Sequence, residues 1–466
     1  MSVETPLNLP KGWIAESLGR ICTLENGDRG KNYPSKSVLT ESGIPFINAG
    51  HIDRGRIDMS KMNYIPKTRF DILGRGKVRN GDLLFCLRGS LGKCAIVQNL
   101  QYGAIASSLV IVRPNEDVDR KFILFYFESP IARDMISEYN NGSAQPNLSG
   151  ADLKKFIVPL PPLPEQRRIV SKIEELFSKL DAGVAALKQA KAQLKRYRQS
   201  VLAAAVTGDL TKEWRANNPN TEPASKLLAH ILKQRREQWT GRRKYKEALI
   251  PKTDGLPQIP ETWTWASPAQ LSAPEDHSLA IGPFGSNLKT SDYRETGVPL
   301  VFVRHIRSND YELTPKFVTA EKASELHAHS VDPGDLLITK MGEPPGDASL
   351  YPNNRPHAII TADCIKLRLI KLIDSKSFFV DAINSKLVAD QIAPITRGVA
   401  QKKISLDRFR HIALPLPPLE EQKQIVAEVE SRTTTIAHIE AELEQQLTRA
   451  KRLRQAILNS AFSNSL

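Results

Sequence analysis

The sequence predicts an α+β chain: two similar α+β globular modules separated by two long helices that form an antiparallel coiled coil, with a pseudo-two-fold internal repeat. Three observations carry this. A proline-rich hinge, Val158-Pro159-Leu160-Pro161-Pro162-Leu163-Pro164-Glu165-Gln166, returns 256 positions later as Leu414-Pro415-Leu416-Pro417-Pro418-Leu419-Glu420-Glu421-Gln422. The same offset of 256 carries Lys195-Arg196-Tyr197-Arg198-Gln199 onto Lys451-Arg452-Leu453-Arg454-Gln455, and Ala205-Val206 onto Ala461-Phe462. Each hinge also follows the same order of short β-rich words and precedes a long amphipathic run. A chain carrying one module twice can act as its own pseudo-dimer, and two-fold objects suit two-part targets, of which duplex DNA is the usual one.

The elements follow in order. Each module opens with Pro-x-x-Trp, Pro10-Lys11-Gly12-Trp13 and Pro260-Glu261-Thr262-Trp263, where the indole serves as a core anchor. Ile44-Pro45-Phe46-Ile47 matches Val298-Pro299-Leu300-Val301, and each is followed by a His-Ile pair. Gly81-Asp82 and Gly334-Asp335 read as turns entering strands, and Ala104-Ile105 matches Ala358-Ile359. Phe122–Ser137 and Phe378–Ile392 have helical apolar spacing. The module is read as one small curved sheet with helices. A polar loop, Gly142–Ser149 or Gly398–Ser405, ends at a serine expected to cap a short helix. A strand then runs into the hinge.

After the hinge, Pro164 and Glu165 suit a first helical turn. Apolar residues then recur as Ile169, Ile173, Leu176, Leu180, Val184, Leu187, Ala190, Leu194, Tyr197 and Val201. The second copy runs Ile425, Val429, Ile436, Ile439, Leu443, Leu447, Ala450, Leu453 and Ile457, with Arg432 in place of Leu176. Three-and-four spacing is a coiled-coil seam, and some forty residues at ~1.5 Å each make a rod of roughly 60 Å. Two striped rods most simply bury their stripes against each other. The expected boundaries are a first module at 1–160, a first helix at 161–205, a basic linker with a short helix at 206–256, a second module at 257–414 and a second helix at 415–466.

The chain has 466 residues and a net charge of +14, which favours a polyanionic partner. The charge is uneven: 1–160, 161–205 and 206–256 each carry +5, 257–414 is neutral and 415–466 carries −1. The linker's basic run, Arg235-Arg236 and Arg242-Arg243-Lys244, reads as a solvated face. No apolar stretch approaches the ~18 residues of a membrane span, and the opening residues lack a basic start and apolar block, so a cytoplasmic place is expected. The four cysteines form no Cys-x-x-Cys pair, which leaves reduced thiols and no metal site. Catalytic motifs are missing too. The prolines of the hinge have no Asn or Asp before them and no aromatic beside them, as an amine methyltransferase loop would. Gly89-Ser90-Leu91-Gly92-Lys93-Cys94 lacks the leading Gly and trailing Ser/Thr of a phosphate loop. No catalytic residue is assigned.

The duplicated hinge-helix motif, the exit Val206-Thr207-Gly208-Asp209-Leu210-Thr211 and the internal symmetry resemble the specificity subunit of type I restriction–modification systems, over nearly the whole chain. The resemblance implies a non-catalytic subunit whose modules are target recognition domains, each reading one half of a bipartite DNA site, with the coiled coil as ruler. It implies double-stranded DNA, two modification subunits and two restriction subunits as partners. This chain would bind no cofactor itself; S-adenosylmethionine, ATP and Mg would sit on those partners. Major-groove readers are polar side chains on the loops flanking the repeated strands. In the first module these are Asn48, His51, Arg54, Arg56, Arg88, Ser90, Lys93, Gln145 and Asn147. In the second they are Arg304, His305, Arg307, Lys340, Glu343, Arg397, Gln401, Lys402 and Lys403. The copies differ there: Arg88-Gly89-Ser90 becomes Met341-Gly342-Glu343, and Ala144-Gln145-Pro146-Asn147 becomes Ala400-Gln401-Lys402-Lys403. The competing reading is a coiled-coil scaffold or adaptor that reads no DNA and binds with little salt dependence.

Overall fold

The computed structural model describes residues 9–53, 55–140, 146–242, 244–397 and 402–463. The chain divides into two compact units, Met1–Gln189 with Leu443–Leu466, and Ala190–Glu442. Each unit takes in one globular module and a part of both long helices.

Each module holds two four-stranded sheets, not the single small sheet expected. In the first unit one sheet runs Asn63–Ile65, Ile44–Ile47, Gly103–Ile105, Lys77–Val78, and the other Cys22–Asn26, Leu109–Pro114, Leu83–Cys86, Cys94–Ile96. The second unit repeats both orders, as Phe317–Val318, Val298–Val301, Ala358–Ile360, Ser330–Val331 and as Leu279–Ile281, Cys364–Leu367, Leu336–Thr339, Ala348–Leu350. Central strands such as Leu83–Cys86 and Leu336–Thr339 are buried at every position. They lack the alternation that would assign them to one sheet or another. A strand pair closes each module: Ile14–Ser17 lies antiparallel to Ile157–Leu160, and Thr264–Ala266 to Leu414–Leu416. The chain entering from Pro-x-x-Trp is thus zipped to the chain leaving for the hinge, over buried Trp13 and Trp263.

The two helical stretches are each broken in the middle. Arg120–Glu128 and Pro130–Tyr139 meet at Ser129, and Lys376–Asn384 and Lys386–Ile392 meet at Ser385. The serine Oγ donates to the carbonyl three residues back, at 2.6 Å in both copies, and accepts from the N–H three residues on. A buried serine therefore stops one helix and caps the next. Ser149 caps Gly150–Lys154 as expected, accepting from Asp152 N–H at 3.0 Å. Ser405 makes no such bond ahead of the four-residue helix Leu406–Phe409.

The repeated Gly-Asp turns have a second use. Asp82 grips Arg113 through Nε and Nη2 at 2.8 and 2.9 Å, and Asp335 grips Arg368 the same way at 2.8 and 2.7 Å. Glu25 and Glu275 take the third guanidinium nitrogen of each. Both carboxylates also close their own turns, Asp82 on Arg79 N–H and Asp335 on Asp332 N–H, each at 2.9 Å. The bonds to Asp82, against burial, raise the Arg113 guanidinium further above its usual range.

The long helices are Leu163–Thr207 and Leu419–Phe462. The glutamine ending each hinge word is buried and folds back, Gln166 Nε2 donating to Pro161 O at 2.9 Å and Gln422 Nε2 to Pro417 O at 2.8 Å. In the first unit, Ile169, Ile173 and Phe177 from the start of one helix share a core with Leu458 and Phe462 from the end of the other. In the second unit, Val201 and Ala205 share a core with Ile425 and Val429. Start meets end in both units, so the helices are antiparallel. Each core is completed from afar: the Phe462 ring centroid lies 5.1 Å from Phe122 and 5.9 Å from Tyr126.

The seam departs from the expected one. Phe177 is buried where Leu176 was expected, and Tyr197, Ile439 and Leu453 are exposed. Arg198, Glu440 and Arg454 occupy half-buried places beside them. Arg198 pairs with Glu440 at 3.0 Å. Arg454 lies 3.7 Å over the Phe177 ring and reaches Asp181 at 3.4 Å and Glu128 at 3.8 Å. A long aliphatic stem covers apolar surface as a leucine would, and its charged end finds a carboxylate or a ring face.

The first helix exits through Gly208, whose φ of +87° suits glycine and whose absent Cβ would stand 2.4 Å from Pro260 Cγ. Thr211 and Arg215 beyond it bond the buried Glu421 carboxylate, as does Trp263 Nε1 at 2.8 Å. The linker helix spans Ala224–Glu237. Of the basic run, Arg236, Arg242 and Lys244 are exposed, as a solvated face requires, and Arg235 is buried. Arg236 pairs with Glu247, Thr240 N–H reaches Pro274 O at 3.0 Å, and Arg242 N–H reaches Asp276 at 2.6 Å. No helix is long and apolar enough to cross a membrane among the described residues.

Candidate nucleic-acid interface

The loops that differ between the copies are brought together in each unit by the same backbone ladder. In the first, the turn between strands Leu83–Cys86 and Cys94–Ile96 lies against the last residues of the polar loop, Pro146 to Leu148. Leu148 N–H donates to Leu87 O at 2.9 Å, Gly89 N–H to Pro146 O at 3.3 Å, and Arg88 faces Asn147 in an antiparallel bridge. In the second, Ile404 N–H donates to Lys340 O at 2.9 Å, Gly342 N–H to Lys402 O at 3.2 Å, and Met341 faces Lys403. Each module therefore presents one edge built from two loops about sixty residues apart.

The side chains on the two edges differ. Arg88, Ser90 and Lys93 are exposed, and Asn147 is half-buried. Arg88 Nε donates to Asn147 Oδ1 at 3.0 Å, which holds the guanidinium at the rim. Lys93 also lines a cleft of about 910 Å3 with Ile136, Lys188 and Lys451. On the second edge Glu343 and Lys402 form an exposed ion pair, and Lys403 is exposed. Lys340 donates to Ala362 O at 3.1 Å and lies 5.4 Å from the Phe284 ring; burial lowers its ammonium below the usual lysine range. Arg307 braces this loop, donating to Asp347 at 2.8 Å and to Pro344 O at 2.6 Å. Arg397 pairs by backbone with Lys403, adding a short strand to the same edge.

Other candidates are placed differently. His51 and His305 are buried, and their rings are committed to backbone. Nδ1 accepts from Asn48 N–H or Phe302 N–H, and Nε2 meets Lys61 O at 3.1 Å or Leu313 O at 2.9 Å. Burial lowers both imidazoles below the usual histidine range. The repeated His-Ile pair thus holds a turn rather than presenting a donor to a ligand. Asn48 caps the turn Ala49–His51, accepting from Gly50 N–H at 2.8 Å. Arg304 donates to Leu313 O and Thr314 O, 4.1 Å over the Phe302 ring. Arg56 stands on a two-strand hairpin and lines a cavity of about 750 Å3 with Glu174 and Arg454. Arg54, Gln145 and Gln401 lie outside the described residues.

Sequence reading missed Arg29 and Phe284. Each sits on a loop leaving the first strand of its sheet, between glycines that repeat at an offset of 255, Gly27/Gly30 and Gly282/Gly285. Gly27 and Gly282 abut the carbonyls of Ala106 and Thr361. Arg29 is exposed, and Phe284 is 66% exposed, an unusual exposure for an aromatic in a module this well packed. That double-glycine frame was the available signal.

Among the described residues no cluster of His, Cys, Asp and Glu is arranged to hold a metal, and all four cysteines are buried. The edges offer hydrogen-bond donors, acceptors and positive charge, which is the chemistry of base and phosphate recognition.

Comparison with known proteins agrees with this chemistry. The family model "Type I restriction modification DNA specificity domain" matches residues 10–196 and 289–449. The EcoKI specificity subunit of Escherichia coli strain K12 is 26% identical over 471 residues, covering 98% of this chain and 90% of that protein. The StySPI specificity subunit of Salmonella potsdam is 23% identical over 469 residues, covering 98% and 90%. Among solved structures, a chain from work on complex assembly and conformational transition of the type I R-M system aligns with a TM-score of 0.69 at 21% identity, over 99% of this chain and 100% of that one. The HsdS subunit of Thermoanaerobacter tengcongensis aligns with a TM-score of 0.55 at 20% identity, over 100% of both.

Proposed function

The chain belongs to the DNA specificity family of type I restriction–modification systems, a non-catalytic family, and from that premise we propose that each module reads one half of a bipartite, asymmetric DNA site. The observation that carries this reading is the pair of equivalent edges: one backbone ladder, two sets of side chains. On the first edge Arg88, Ser90 and Asn147 are the proposed readers. On the second they are Glu343, Lys402 and Lys403, with Phe284 offered to a thymine methyl or a sugar face. Arginine suits guanine O6 and N7, asparagine suits adenine, and glutamate accepts from cytosine N4. The coiled coil acts as the ruler between half-sites and as a seat for two modification subunits, joined by two restriction subunits; S-adenosylmethionine, ATP and Mg belong to those partners.

The test combines the chain with a modification subunit and maps methylated adenines genome-wide. A two-part motif with a fixed gap is expected, and no methyl transfer by the chain alone. Adding one helical turn after Leu187, with its partner turn opposite, should change the gap. An unchanged gap would refute the ruler, and duplex binding that ignores salt would favour a scaffold instead.

A further inference from the structure

The basic linker run builds a pocket that the DNA reading does not use. Arg235, on the last turn of helix Ala224–Glu237, is only 5% exposed, yet it lines a cavity of about 600 Å3. Its Nη2 donates to Ser272 Oγ at 3.2 Å, but Nε and Nη1 have no partner among the described residues. On the same cavity, the Nδ1 atom of His411 is also buried and unpartnered. Two inward-facing groups able to donate hydrogen bonds thus lack an acceptor, and leaving them so costs free energy.

The nearby carboxylates do not meet this need, because each is engaged elsewhere. Glu247 pairs with Arg236, Asp276 accepts from Arg242 N–H, Glu275 pairs with Arg368, and Asp407 lies 3.6 Å from Arg410. The pocket wall is fixed at both ends, by Thr240 on Pro274 O and by Ser267 Oγ on Leu249 O at 3.1 Å. An adjoining cavity of about 800 Å3 shares Leu249 and His411 and is lined by Ile250, Ile395 and Ile412. Leu249 is 64% and Ile250 81% exposed, so an apolar strip borders the buried cation.

We propose that this pocket docks an acidic peptide segment of another polypeptide, its carboxylate accepting from the free N–H groups of Arg235 and its apolar neighbours lying along Leu249 and Ile250. A duplex is disfavoured as occupant. Its phosphates, held along a stiff duplex, cannot descend to a guanidinium only 5% exposed. A single carboxylate flanked by apolar side chains fits both the charge and the strip.

The experiment uses the full-length chain and a fluorescein-labelled, terminally blocked Ala-Leu-Glu-Leu-Ala peptide, with its Gln twin as control. Anisotropy should show the Glu peptide binding at least about tenfold more tightly than the Gln peptide, as a buried charge-assisted bond requires. Arg235→Met should remove that preference. Because a buried substitution can unfold the module, exposed Lys246 at the same cavity provides a second arm: Lys246→Glu should weaken the Glu peptide several-fold and leave the Gln peptide unchanged. Equal binding of the two peptides, no binding at millimolar peptide, or indifference to Lys246→Glu overturns the proposal. So does displacement of the peptide by a short DNA duplex or by inorganic phosphate, which would mark a phosphate site; the half-site reading would survive each of these results.

Discussion

The two edges share a ladder to within a few tenths of an ångström and differ in what they display. In the first half Arg88 is tethered by one neutral bond to Asn147, so most of its donors stay available at the rim. In the second half the place of Arg88 is taken by Met341, and the charge has moved to an ion pair, Glu343 with Lys402. One edge is donor-rich; the other holds an acceptor and a donor against each other and, on the proposed reading, would have to part them to read a base. Beneath the edges one clamp recurs: Asp82 grips Arg113 and Asp335 grips Arg368 through the same atoms, and Arg368 has Asp332 at 2.6 Å besides. At these edges the backbone is held the same way while the side chains differ.

The sharpest way to break that comparison is to attack the clamp. Asp82→Asn takes the bidentate partner from a half-buried arginine and should cost about 3–5 kcal/mol; Asp335→Asn should cost less, because Arg368 keeps Asp332 at 2.6 Å. Urea unfolding of the full chain, followed separately by probes in each unit, should show a loss in each respective unit, the larger one for Asp82→Asn. If one substitution were nearly silent, the two scaffolds would not be equivalent.

A smaller effect tests the edges themselves. Arg88→Ala should weaken or relax one half-site by about 1–3 kcal/mol and leave the other half intact. Glu343→Gln should do the same to the opposite half and, by releasing Lys402, should also steepen the salt dependence of binding. Equal loss at both halves from either substitution would end the modular reading. The measurement is competition binding of duplexes altered in one half at a time.

Much of this was legible in the sequence because it is local or repeated. The hinge words, the Pro-x-x-Trp anchors and the long apolar stripes are contiguous signals, and duplication made each count twice. Pairing between distant loops was not legible. Arg88 and Asn147 could both be named as loop residues, yet nothing in local spacing says they face each other. The sheets were merged into one because strands such as Leu83–Cys86 are buried on both sides and carry no period. The seam was drawn through Tyr197 and Leu453 because an apolar residue was preferred to the arginine beside it. Arg454 shows why that preference failed: with Phe177 under its guanidinium and Asp181 at its end, it does the packing of a hydrophobe. His51 and His305 misled in the opposite sense, since a polar residue next to a loop was read as a reader when both ring nitrogens were already in use.

Those histidines supply the gentlest test of sameness. Both are buried in the same turn, and burial lowers both imidazoles from their ordinary value of 6.5. The unfolded chain therefore takes up protons first as the pH falls. The contribution of these two rings to stability should begin to drop as the pH passes down through about 6.5 and should level off only below their folded-state values. Replacing His305 by Gln removes a titrating group from that turn. Between pH 7.5 and 5.5, a window set around the ordinary histidine value, the stability of the parent relative to the variant should fall. Unfolding measured across that window decides the matter: parallel curves for parent and His305→Gln would mean that burial in the turn does not lower the imidazole of His305.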